Sequence, residues 1–90
     1  MRAVYKYEIK IKEGKQILHA YSLCNVLSFK MQGGNPYVWV EVNTEMPEKD
    51  IVVEVFGTGW EMPFDTNLVY IGTIVDNQFS FEVYHLYQYL

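Results

Sequence analysis

Hydrophobic and polar residues alternate along most of this chain with the period of two that a half-buried strand requires. From Ala3 to Lys12 the alternation is strict, with Ala3, Tyr5, Tyr7, Ile9 and Ile11 on one face and Val4, Lys6, Glu8, Lys10 and Lys12 on the other. This predicts a first strand with one wet side, a turn at Glu13-Gly14-Lys15, and a short second strand from Gln16 to Ala20. Two further strand-like runs, Leu23 to Gln32 and Tyr37 to Asn43, flank Gly33-Gly34-Asn35-Pro36. The glycines there tolerate positive φ and the proline blocks ladder pairing, so the two runs read as a hairpin. Trp39, inside the alternating run YVWVEV, is expected to be core.

Thr44 to Lys49 contains Pro47 and reads as a loop, and the β-branched run from Asp50 to Phe56 as a mostly buried strand. The following segment, Gly57-Thr58-Gly59-Trp60-Glu61-Met62-Pro63-Phe64-Asp65, mixes glycines with large apolar side chains where an ordinary solvent loop would be polar. Leu68 to Val75 and Gln78 to Gln88 complete the strands, joined by a tight turn at Asp76-Asn77. No segment has a helical period. The expectation is an all-β, mainly antiparallel fold, a small six- to seven-stranded sandwich or partly closed barrel, in a single β domain over residues 1–90.

Composition sharpens this picture. Ninety residues support one core, and half of them are hydrophobic. Aromatics make up 17%, more than so small a body readily hides, which points to rings at a surface, in a homo-oligomer or in a ligand pocket. No run approaches the ~20 apolar residues of a membrane span. The opening MRAVYKYEIKIK alternates charge with hydrophobe instead of forming a signal-peptide core, so a cytoplasmic location is expected. Cys24 is the single cysteine, which rules out an internal disulfide and a multi-thiolate zinc site; it reads as a small, partly buried hydrophobe.

The net charge of −4 argues against a protein that grips a nucleic-acid backbone. Residues 1–30 carry six cations against two acids, a net of +4, whereas residues 31–90 carry one lysine against nine acids, a net of −8. A basic first strand therefore sits on an acidic body. Its lysines either pair with acids of neighbouring strands or meet an anionic ligand.

Catalytic groups are scarce. His19 and His85 lack metal-ligand spacing. His85 lies in a strand whose Phe79, Phe81 and Val83 are expected to face inward, and it reads as a hydrogen-bonded histidine near the sheet end, with a general base or ligand contact as the alternatives. Ser22, Ser28, Ser80 and Cys24 have no nucleophile signature. Gly57-Thr58-Gly59 looks like half of a phosphate loop, but no helix follows to bind the anion. Its glycines either permit a sharp exit from the strand or let backbone donors approach a ligand stacked on Trp60.

The opening YKYEIKI, the segment VLSFKMQGGNPYVWVEVN with its Gln32, Gly34, Pro36 and Trp39, the block VFGTGW, the YIGT at Tyr70 to Thr73 and the closing FEVYHLY occur in that order. Together they resemble a family of small uncharacterised proteins of tailed bacteriophages and prophages. That family often has a histidine after the GTG, where this chain has Trp60, which favours a contact role over chemistry there. The resemblance implies provenance, not activity; small phage accessory proteins of this kind often bind and neutralise a host component, such as a protein machine or a nucleotide messenger, or help phage physiology in minor ways.

Three function classes follow. The preferred one is a non-enzymatic, anti-defence binding protein that sequesters a small anionic, nucleotide-like ligand through Lys6, Lys10, Lys12, Gly57, Thr58, Gly59, Trp60 and His85, with no cofactor. The second is a protein-protein inhibitor or adapter acting on a host defence component. The third, an enzyme, is disfavoured by the residue inventory.

Overall fold

Seven strands form in chain order: β1 (Arg2–Glu8), β2 (Lys15–Tyr21), β3 (Asn25–Gln32), β4 (Asn35–Asn43), β5 (Glu48–Gly57), β6 (Leu68–Val75) and β7 (Val83–Tyr89). The computed structural model describes residues 1–64, 67–76 and 82–90. Every pairing is antiparallel, and the strands build two sheets, one of order β1-β4-β3 and one of order β2-β5-β7-β6. The fold is an all-β sandwich and not a closed barrel. Among the described residues no helix is long and apolar enough to cross a membrane.

Local chemistry sets the boundaries. β1 ends at Glu8, short of the expected Lys12, because the chain leaves the first sheet there to cross to the second. Gln16 holds this crossing, accepting from the Lys10 N–H at 2.9 Å and donating to the Lys10 carbonyl at 2.7 Å. Ile9 still fills the core at 1% exposure, while Ile11 is exposed. Gly33 and Gly34, with φ of 60° and 84°, make the β3–β4 turn. Pro36, expected to block pairing, instead lies inside β4 opposite Met31, and its carbonyl accepts from the Ile9 N–H at 3.0 Å. β5 starts at Glu48, inside the expected loop, because Tyr21 and Glu48 extend the β2–β5 ladder. The expected strand residues Gln78 to Phe81 and the turn residue Asn77 lie outside the described residues.

The core fills the space between the sheets. Val38, Val40 and Val42 of β4, Val53 and Val55 of β5 and Leu86 of β7 are each 0–1% exposed, clustered with Leu18, Phe29, Ile51 and Ile74. This arrangement corrects two expectations. In β4 the valines take the inner face, so Trp39, on the other parity with Tyr37 and Glu41, lies half-buried on the outer face of the three-stranded sheet and outside the core cluster. In β7, Tyr84 and Leu86 point inward, so Val83 and His85 take the outer face; Phe79 and Phe81 lie outside the described residues.

Trp60 behaves differently. Its indole packs against the core and meets Tyr84 edge-on, with centroids 6.0 Å apart. It also lies across Gly57, where an added Cβ would stand 2.6 Å from its Cε2. The Gly57–Trp60 contact is therefore a packing joint that only glycine permits, reinforced by the Trp60 N–H donating to the Gly57 carbonyl at 3.0 Å.

Two stability predictions follow from these placements. Trp60→Ala should cost about 3 kcal/mol, near the lower end of buried large-to-small changes, and Trp39→Ala no more than about 1 kcal/mol, as for a half-exposed side chain. Urea melts of both variants check the order. Gly57→Ala should cost about 1–3 kcal/mol through overpacking against the indole. In a double-mutant cycle most of that cost should vanish in the Trp60→Ala background, and additive losses would show that the two residues do not press on one another.

Candidate binding faces

The residues expected to form one site divide between two places. Gly57, Thr58, Gly59 and Trp60 leave the end of β5 and meet His85 of β7 at the four-stranded sheet, with Gly59 in the left-handed region at φ 89°. Lys6 projects from the outer face of the three-stranded sheet, on the far side of the sandwich. Lys10 pairs with Glu8 at 3.0 Å, and the Lys12 N–H donates to the Lys10 carbonyl in the crossing segment. Lys6 and the GTGW segment of one chain thus do not face a common ligand.

The cleft beside Trp60 has a volume of about 400 Å3 and is lined by Glu13, Glu54, Val55, Phe56, Trp60 and Glu61. A phosphate placed there would meet three carboxylates, so the electrostatics of this cleft oppose an anion.

His85 sits in a hydrogen-bonded row on the outer face of the four-stranded sheet. Its Nε2 lies 3.1 Å from the Thr58 hydroxyl and its Nδ1 3.0 Å from the Thr73 hydroxyl, which in turn meets the Tyr70 hydroxyl at 2.5 Å. Both ring nitrogens are engaged, so the imidazole is held in place and its lone pair is not presented to a substrate or metal. The adjoining rings of Phe56, Tyr87 and Tyr70 pack edge-to-face at 5.8 and 5.6 Å. Among the described residues no three His, Cys, Asp or Glu side chains stand together as a metal site.

The outer face of the three-stranded sheet carries what an anionic, planar ligand needs. Trp39 lies opposite Lys6 on β1 and Ser28 on β3, and Lys30 lies opposite Tyr37. The Tyr37 and Trp39 rings are 6.1 Å apart, inclined at 57°. Lys6 Nζ stands 4.5 Å from the Tyr37 centroid and donates to Gln32 Oε1 at 2.8 Å. Neither Lys6 nor Lys30 forms an ion pair among the described residues, whereas Arg2 is bound to Glu41 at 3.2 Å. The irregularity between Val26 and Ser28 lets both Leu27 and Ser28 accompany Trp39 on this side. Sequence reasoning missed this face because it put Trp39 inside; the signal that finds it is Glu41, which shares the Trp39 parity and cannot be buried unpaired.

A third grouping closes the seam where the edge strands β1 and β2 approach. Tyr5, Tyr7 and Tyr21 cluster there, with Tyr5 centroids 6.5 Å from Tyr7 and 6.3 Å from Tyr21, and the Tyr7 hydroxyl donates to the His19 carbonyl at 2.8 Å. Loss of hydration raises the pKa of the Tyr7 phenol above its ordinary value, followed by the nearby Cys24, Tyr21 and Tyr5. The Tyr21 phenol is raised in the same way, by desolvation first and then by Tyr5 and Glu48. The Tyr7 and Tyr21 rings therefore remain neutral phenols across the physiological range.

No curated protein and no solved structure matches the chain. The family described as Domain of unknown function (DUF7352) matches it over residues 1–90. The match spans the whole chain, and the chain belongs to the domain-of-unknown-function family DUF7352.

Proposed function

We propose that this chain is a non-enzymatic binding protein that holds a small anionic, nucleotide-like ligand on the outer face of its three-stranded sheet. The observation that carries the reading is Trp39, half-buried between Lys6 and Ser28 and inclined against Tyr37, which Lys30 faces. A nucleotide needs a stacking surface and countercharge within reach of one another, and a sheet face supplies both at the spacing of neighbouring strands. Lys6 and Lys30 suit the charge role because no carboxylate of the described residues neutralises them. The resemblance to tailed-phage and prophage proteins adds that the ligand would be a host signal met in the host cytoplasm, with the protein acting as an anti-defence sponge.

A second reading is a protein-protein inhibitor or adapter, and one observation favours it. Val4 and Leu27, on the same outer face, are 54% and 50% exposed, and apolar side chains grouped around a tryptophan are what a protein partner buries. A homo-oligomer formed on this face belongs to the same reading.

Trp39 fluorescence separates the two. Titration with a panel of mononucleotides and cyclic dinucleotides should quench the emission for at least one member, with affinity falling as salt rises. Trp39→Ala should remove binding while leaving the fold intact. Lys6→Ala and Lys30→Ala should each weaken it by roughly three- to tenfold, as loss of a charge-assisted contact does. Silence across the panel, together with capture of a host protein that Trp39→Ala abolishes, would give the adapter reading its place.

A further inference from the structure

Beyond the nucleotide-binding face, we infer that the tyrosine-lined seam between β1 and β2 is a second binding site, one that takes an organic ammonium ion. The seam opens as a cleft of about 380 Å3 lined by Tyr5, Tyr7, Tyr21, His19, Glu48 and Asp50. Its walls combine the two features that select an alkylammonium head. Three phenol rings line it, Tyr5 inclined at 58° to Tyr7 and at 67° to Tyr21, and the electron-rich face of such a ring attracts a cation within ~6 Å of the ring centroid. Glu48 and Asp50 stand two apart on β5, hence on one side of it and roughly 7 Å apart along the strand. Lys49, between them, carries the alternation to the other side.

The same chemistry is already satisfied by this chain at another place on its surface. Lys15 Nζ lies 4.5 Å from the Tyr89 centroid, and the Tyr89 hydroxyl donates to Glu54 at 2.5 Å. A tyrosine face with a carboxylate beside it is thus occupied by an ammonium group of the protein's own. In the seam the ring and carboxylate partners are repeated, but no lysine or arginine lines the cleft. Glu48 forms no ion pair among the described residues, and Asp50 meets only the His19 ring, at 2.6 Å.

The seam position explains why the rings are available. β1 and β2 are edge strands of different sheets, so the tyrosines on them cannot be covered by a further strand within the chain. They pack against the core and line the cleft. A small free amine and a lysine side chain of a partner protein share this head group, and the probes below tell them apart.

The test follows the tyrosine ring resonances of the full chain by NMR during titration with tetramethylammonium chloride, cadaverine and Nα-acetyl-lysine methylamide, with sodium chloride at equal ionic strength as control. Saturable shifts of Tyr5, Tyr7 and Tyr21 are expected with the ammonium probes and not with sodium. Tighter binding of cadaverine than of the lysine derivative assigns the site to a small amine, and the reverse order to a partner's side chain. Tyr21→Ala should weaken binding about tenfold, Tyr21→Phe should keep most of it, and Glu48→Gln should weaken it about three- to tenfold. Trp39→Ala should leave it unchanged, which keeps this site independent of the nucleotide-binding face. Should Tyr21→Ala fail to fold, the exposed Glu48→Gln still decides. Absence of saturable shifts, equal shifts with sodium, or affinities untouched by Glu48→Gln and Tyr21→Ala would overturn the proposal.

Discussion

The thin layer of branched aliphatic side chains between the two sheets is the constraint from which the rest of the molecule follows. Stacked sheets stand ~10 Å apart, a distance filled by valine, isoleucine and leucine from both faces. The body here measures 40 × 33 × 15 Å. Among the described residues its largest fully buried side chains are Ile9, Leu86 and the valines 38, 40, 42, 53 and 55, with no aromatic among them. At roughly 25 cal/mol per Å2 of apolar area, each such side chain contributes about 1.5–3 kcal/mol by its burial, before the entropy of ordering the chain is set against it. Phe29 and Tyr84 join this buried cluster and Trp60 packs against it, while the other described rings lie at its margins or on the outer faces.

Where these rings lie defines the molecule's surfaces. Trp39 and Tyr37 lie on the outer face of the three-stranded sheet, Tyr5, Tyr7 and Tyr21 close the β1–β2 seam, Tyr70, Tyr87 and Phe56 pack on the outer face of the four-stranded sheet, and Trp60 caps one end by lying on Gly57. The opposite seam is built the other way. There β3 and β6 approach so closely that a Cβ at Gly72 would stand 3.2 Å from the Phe29 Cβ, and backbone fills the space that tyrosines fill on the first side. One margin of the sandwich is therefore shut by backbone at a glycine and the other by tyrosine rings, and the cleft lies on the ring-lined side.

This distribution also shows what was legible beforehand. The antiparallel sandwich, the β3–β4 hairpin and the alternation of β1 follow from period-two patterning and turn residues, which act locally. The facing of β4 and β7 did not follow, because YVWVEV and VYHLYQY carry large apolar groups on both parities and periodicity alone does not choose between them. The deciding term was the cost of burying Glu41 in one strand and His85 in the other, together with the narrow interlayer space that takes Val38 and Val40 in preference to Trp39. Of the candidate residues, the GTGW segment and His85 lie near one another, since Thr58 bonds to the His85 ring. The lysines were joined to them by an argument from inventory, and chain order holds no information on which outer face a strand of the other sheet presents.

Charge then separates surfaces that the aromatics alone would leave alike. Arg2 is bound to Glu41 and Lys10 to Glu8, so two of the six cations of the basic stripe are neutralised within the chain. Exposed pairs of this kind add at most ~1 kcal/mol each to stability, and salt weakens them further. Their larger effect is on what remains: Lys6 and Lys30 beside Trp39 on one face, and carboxylates beside rings in both the seam and the Trp60 cleft. A ring flanked by ammonium groups and a ring flanked by carboxylates offer the same stacking area to ligands of opposite sign. The net charge of −4 therefore says little about what this protein binds, because the selective quantity is the local sign beside each exposed ring.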